Sequence, residues 1–125
     1  IRQTKKAVRK AKKSILTGNI NSLTPESIFE AFKSGDRAAV ESVSRNAEMI
    51  GIAIGSIINL LNPEVVVIGG GISKGCAKYI KLIRKAAKSF AFDSATSALK
   101  IKVARFGNDA GWIGAACLNM LEDGD

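Results

Sequence analysis

Three consecutive glycines, Gly69, Gly70 and Gly71, stand directly after the β-branched run "VVVI" and directly before Ile72 and Ser73. Glycines at the carboxyl end of a core strand let a flat or phosphorylated ligand reach the backbone, because no Cβ stands in the way. In an open parallel sheet, ligands bind at that end. Ser73 can cap a following helix, whose free N–H groups would face the same place. The run is not a dinucleotide fingerprint, since Lys74 takes the position of its last glycine, and no Gly-Lys-Ser/Thr follows to make a P-loop. The glycines alone therefore admit two readings, a nucleotide-binding turn and a purely structural tight turn. A second polar pair, Asn108 and Asp109 in "GNDAG", reads as the cap of a helix that begins at Ala110.

Other chemistry is thin. The chain has two cysteines, Cys76 and Cys117, and no histidine. Two distant cysteines make neither a zinc spacing nor a disulfide framework. They read as free thiols, and no histidine is present to activate either as a nucleophile. No catalytic residue and no metal ligand is assigned.

The net charge of +8 is concentrated at one end. Arg2, Lys5, Lys6, Arg9, Lys10, Lys12 and Lys13 meet no acidic residue, whereas the remaining residues are almost balanced. Such a run can contact nucleic acid or an acidic membrane. No aromatic residue interleaves it and no groove-reading motif is visible, so a solvated helix face is the simpler reading and nucleic acid is not an expected partner. No signal-peptide pattern follows Ile1, which leads us to expect a cytoplasmic protein. The longest apolar run, residues 49–61, is too short to span a bilayer.

The elements that must position the glycines follow from periodicity. Residues 1–17 read as a helix with a weak stripe of Ile1, Thr4, Val8, Ala11 and Ile15. Thr24, Pro25 and Ser27 open a helix that carries Ile28, Phe29 and Phe32 and stops near Gly35. Asp36 caps a long helix over 37–61, with Val40, Val43, Ala47, Ile50, Ile54, Ile57 and Leu61 at spacings of three and four. Almost nothing polar follows Met49, so its second half is expected to be buried all round. Gly51 and Gly55 lie four apart within it, which calls for close approach of another backbone. Asn62-Pro63 ends the helix and should hold residue 62 extended.

Residues 65–68, apolar on both faces, read as a central parallel strand. A helix over about 74–89 uses Cys76, Ile80, Ile83 and Ala87 as its apolar face, and "LKIKV" (99–103) alternates like a strand nearer an edge. Residues 110–121 form a last, apolar helix. Tyr79 and Trp112 read as packing residues. The expected class is α/β, a parallel β-α-β core with a long buried helix and a right-handed crossover, in a chain of one domain or one lobe. Helices 37–61 and 110–121 carry more apolar surface than two strands can cover, so a homo-oligomer formed through the helices is expected.

With "INLLNPEVVVIGGGIS", "ARFGNDAGWIGAA" and "IFEAFKSGDRAAV" as its three motifs, the chain resembles, over nearly its whole length, the C-terminal half of the ROK (repressor, open reading frame, kinase) family. The resemblance implies the C-terminal lobe of an actin-like, ribonuclease-H-like ATPase fold, with residues 1–125 as that single lobe. It implies sugar kinases, such as glucokinases and fructokinases, that use ATP with magnesium, or sugar-responsive transcriptional repressors. In the kinases the triple glycine lines the adenosine end of the ATP site. Gly69, Gly70 and Gly71 match it with Ile72 and Ser73 beside them, and Asn108 and Asp109 match a polar edge of the cleft. Repressor members often lose these glycines, which favours a kinase parent; a repressor's effector and oligomerisation domain is the alternative. The family's Asp-x-Gly-Gly-Thr motif, catalytic aspartate, sugar-binding histidine and Cys-rich zinc motif are not in this sequence. The resemblance therefore implies a chain that is inactive alone and holds no zinc site.

Overall fold

The computed structural model describes residues 1–11, 13–71, 76–97 and 99–122, with backbone only at 108, 110 and 119–122. Its order is α1 (Arg2–Lys10), a 3₁₀ turn (Thr17–Asn19), α2 (Pro25–Lys33), α3 (Arg37–Leu61), β1 (Val65–Ile68), α4 (Ala77–Phe90), the short α5 (Asp93–Thr96), β2 (Lys100–Val103), a second 3₁₀ turn (Gly107–Asp109) and α6 (Ala110–Glu122). β1 and β2 pair in parallel, Val65 with Lys100 through Ile68 with Val103, as the α/β reading expects.

α3 is the spine. Asp36 caps it through Oδ1, which accepts the Ala39 N–H at 3.0 Å. α1 and α2 pack on its first half, and α4 lies along its second. Ala38, Ala39, Val43 and Ala47 join Phe32, Ile80 and Ile83 in one apolar cluster. Further along, Ile58 meets Ala87, Ala91, Leu99 and Ile101 in a second cluster, next to the sheet. α4 buries Ile80, Ile83 and Ala87 as the spacing predicted, and Tyr79 as well; Cys76 is buried but lies just ahead of the helix, with φ −146°, rather than on its face. Gly51 and Gly55 sit in the α3–α4 seam, where Ala86, Ala87 and Phe90 come close enough to leave little room for a side chain.

Four expectations are corrected. The first helix ends at Lys10, with Ala11 extended, rather than running to residue 17. Asp36 accounts for this: its carboxylate accepts the Ser14 hydroxyl at 3.1 Å and the Ile15 N–H at 2.9 Å, drawing residues 14 and 15 out of helical geometry. Ile1 and Ile15 are consequently exposed, and a buried hydroxyl pair, Thr4 with Ser42 at 2.7 Å, ties α1 to α3 instead. Asn62 is not extended but left-handed, with φ 45°, and its N–H donates to the Ile58 carbonyl. Asparagine tolerates this conformation, and it closes the helix end as well as an extended residue would.

The second half of α3 is not buried all round: Met49, Ile57, Leu60 and Leu61 are exposed. Nor is β1 covered on both faces. Val66 and Ile68 pack towards α3 and α4, while Val67 is 59% exposed. The helices cover one side of this two-stranded sheet and leave the other open.

The Asp36 clamp makes a prediction. Burial raises its pKa, but the N–H groups of Ala39 and Ile15, the Ser14 hydroxyl and the Ala38 backbone together outweigh burial and hold it below 3.8. A carboxyl depressed in the folded state contributes stability above its unfolded pKa and loses it as pH falls through the folded one. Asp36→Ala should destabilise the chain by about 1–2 kcal/mol at neutral pH. Urea melts should show that gap narrowing below about pH 4. A gap that stays constant into strong acid would show that the charge plays no part.

Candidate functional site

The glycine turn begins where β1 ends. The Ala104 N–H donates to the Ile68 carbonyl at 2.9 Å, so pairing with the second strand continues to the turn. A side chain at Gly69 would meet Ala104 at an ordinary 3.8 Å. Gly70 has φ +97°, a backbone conformation that only glycine adopts without strain, and a Cβ built on it would have nothing within 4 Å. Gly71 lies on the wall of a cavity of about 470 Å³.

The opposite wall is α2. Pro25, Glu26, Phe29, Glu30 and Lys33 line the cavity, and Cys76, just before α4, closes it. The α2 residues fall on one helix face because they recur at three and four. Ile28, Ala31 and Phe32 take the buried face of the same helix. Thr24 fixes the start of α2 through a capping box in which the Ser27 N–H donates to its Oγ1 at 3.2 Å.

Phe29 is pinned edge-on by Phe32 at 6.3 Å and Tyr79 at 5.0 Å between ring centroids. The Tyr79 hydroxyl donates to Asn46 Oδ1 at 2.5 Å. Burial, with Cys76 adding to it, pushes the Tyr79 pKa up and keeps that proton in place. Glu26, Glu30 and Lys33 are exposed, and among the described residues none of their charged groups has an ion pair.

The structure thus brings Gly71 to the cavity, while Gly69 and Gly70 are not among the described residues that line it. Ile72 and Ser73 lie outside the described residues, as does the Asn108 side chain. Asp109 is exposed in the 3₁₀ turn ahead of α6, its N–H on the Phe106 carbonyl, and is not among the described residues lining the cavity. The α2 wall was missed. Its one sequence signal was the 26–29–30–33 spacing on a helix whose cap was already readable. Trp112, expected to pack, is 83% exposed.

Among the described residues no group of three acidic, cysteine or histidine side chains can hold a metal. The cavity offers one aromatic side chain, Phe29, two carboxylates, Glu26 and Glu30, and the Lys33 ammonium. No described helix is long and apolar enough to cross a membrane.

A parallel strand pair crossed by helices, with a glycine turn at the carboxyl end of β1, makes this an α/β protein. It belongs to the ROK family, whose profile matches residues 4–121. It is similar to a glucokinase of Halalkalibacterium halodurans, 35% identical over an alignment of 108 positions, with coverage of 82% of this chain and 33% of that protein. Among solved structures it is similar to a putative sugar kinase from Cytophaga hutchinsonii, with TM-score 0.80, 30% identity and coverage of 96% of this chain and 40% of that one. It is also similar to a ROK family transcriptional regulator, a homologue of the E. coli MLC protein, with TM-score 0.77, 28% identity and coverage of 92% and 29%. The chain spans about a third of the length of the glucokinase it matches.

Proposed function

We propose that the intact protein is a cytoplasmic sugar kinase that transfers a phosphoryl group from ATP to a hexose hydroxyl, and that this chain is its nucleotide side. Residues 1–125 would form a single C-terminal lobe of an actin-like fold and would be inactive alone. The observation that carries the reading is the cavity of about 470 Å³ that Gly71, just past the carboxyl end of β1, lines together with α2. Gly69, Gly70 and Gly71, with Ile72, Ser73, Asn108 and Asp109 around them, hold the adenosine end in this reading. Magnesium bound with ATP would neutralise phosphate charge during transfer. The part of this chain is to bind and orient the nucleoside.

Likeness to the ROK regulator supports a second reading, the effector and oligomerisation domain of a sugar-responsive repressor. Assay of the intact protein with ATP, magnesium and a panel of hexoses tests the choice: turnover is expected, and ATP-independent sugar binding without turnover would favour the repressor. The exposed Met49, Ile57, Leu60 and Trp112 support a homo-oligomer formed through the helices. Light scattering is expected to show mass above the monomer, and a monomer at all concentrations would count against it.

A further inference from the structure

We propose that a second cavity, between α1, α2 and α3, binds a small uncharged polyol, held by the buried Thr4–Ser42 hydroxyl pair and the Asn46 and Gln3 amides. The assignment goes beyond the nucleotide reading and does not depend on it. This cavity has a volume of about 220 Å³, and Ile1 and the three helices line it, all within the described residues. A hydroxyl pair has two protons, and the 2.7 Å bond between Thr4 Oγ1 and Ser42 Oγ uses one of them. Among the described residues nothing accepts the other. Thr4 is 2% exposed and Ser42 6%, and both line the cavity. A helical serine can settle its proton on the carbonyl four residues back, as Ser56 does on Ile52 in the same helix. Ser42 does not. A buried donor without an acceptor is costly, so the pair calls for an acceptor inside the cavity. A single water could supply one, but it needs only about 10–15 Å³ of such space.

The lining selects the class of ligand. No charged side chain is part of it, so an ion would enter without a counter-charge. Asn46 Oδ1 is taken by the Tyr79 hydroxyl, which leaves its Nδ2 as a donor. The Gln3 amide, exposed and unbonded among the described residues, brings a donor and an acceptor. Hydroxyl groups suit this mixed set, because each of them both donates and accepts. Ile28, Phe29 and Val43 give the apolar surface against which the C–H bonds of a polyol would lie. The volume falls below the roughly 300–1,000 Å³ of drug-sized pockets, so the ligand is small.

The test is an NMR titration of the chain with sorbitol and, separately, with inorganic phosphate. The side-chain amide signals of Asn46 and Gln3 are expected to shift and saturate with sorbitol in the millimolar range, and not with phosphate. Two variants follow. Thr4→Val with Ser42→Ala replaces both partners by apolar groups and leaves no orphan, so the fold should persist. Asn46→Asp keeps the acceptor for Tyr79 and removes the donor. Each should weaken sorbitol about fivefold, the worth of one hydrogen bond. Signals that never saturate with sorbitol would overturn the assignment and leave the cavity to water. Equal sorbitol affinity in the unaltered chain and both variants would overturn it too, by placing the polyol elsewhere. Tighter saturation by phosphate would overturn the uncharged class. Failure of ATP to bind the intact protein would leave the polyol site standing.

Discussion

Gly51→Val should destabilise the chain by roughly 3 kcal/mol, because overpacking a close seam typically costs this much. A Cβ at residue 51 would lie 2.4 Å from Ala86 Cβ and 2.9 Å from both the Ala87 nitrogen and the Ile83 carbonyl oxygen. Two of these three neighbours are backbone, so no rotamer change relieves them, and α4 as a whole must move away from α3. That movement opens the seam at Gly55 as well, where the Ala87 carbonyl and Phe90 stand 3.0 Å from a would-be side chain. Valine is a slightly better helix former than glycine, and this offsets well under 1 kcal/mol. Gly114→Ala in α6 is the control. Nothing lies within 4 Å there, and the change should be neutral or stabilising by up to about 1 kcal/mol. Urea unfolding of both variants decides the matter. A Gly51→Val midpoint equal to that of the unaltered chain would mean that α3 and α4 do not pack as described.

Gly70→Val should abolish most nucleotide affinity, a drop of at least about tenfold. The added side chain would stand next in sequence to Gly71, which lines the cavity. It also meets backbone strain, since φ +97° disfavours any residue with a Cβ by about 1–2 kcal/mol. Strain and blockage are separated by Gly35→Val. Gly35 has φ +82° and equally open surroundings, at the end of α2 and away from the glycine turn. Both variants should therefore lose similar stability, and only Gly70→Val should lose ATP in calorimetry on the intact protein. Unchanged ATP affinity in Gly70→Val would reduce the three glycines to a tight turn.

What the sequence disclosed was local. The bounds of α3 were readable because an Asp36 cap, three-four spacing and Asn-Pro all act within a few residues of the helix they delimit. The strand pair was readable for the same reason, since a β-branched run and an alternating run each declare themselves. The end of α1 was not readable. It depends on a carboxylate more than twenty positions away that captures Ser14 and Ile15. The apolar stripe of α3 was read correctly at Val43 and Ala47 but failed at Ile57 and Leu61, because spacing tells which residues share a face and not whether anything covers it. Half of the candidate site was legible in the glycines. The other half stayed hidden, because α2 faces Gly71 only through packing on α3 that no local pattern encodes.

α6 has a consequence of its own. Residues 111–118 are all exposed, and its main neighbour is the 3₁₀ turn that precedes it. An isolated helix of about a dozen residues is marginal in water even when its composition is favourable. Gly111 and Gly114 make this one less so. Folding of α6 is therefore thermodynamically linked to its burial against another surface, and the ordering entropy of the segment is subtracted from whatever that contact yields. Association through this helix would accordingly be weaker than its apolar area suggests, with a large negative heat-capacity change. Circular dichroism would report assembly directly, since helical signal should rise as the chain is concentrated.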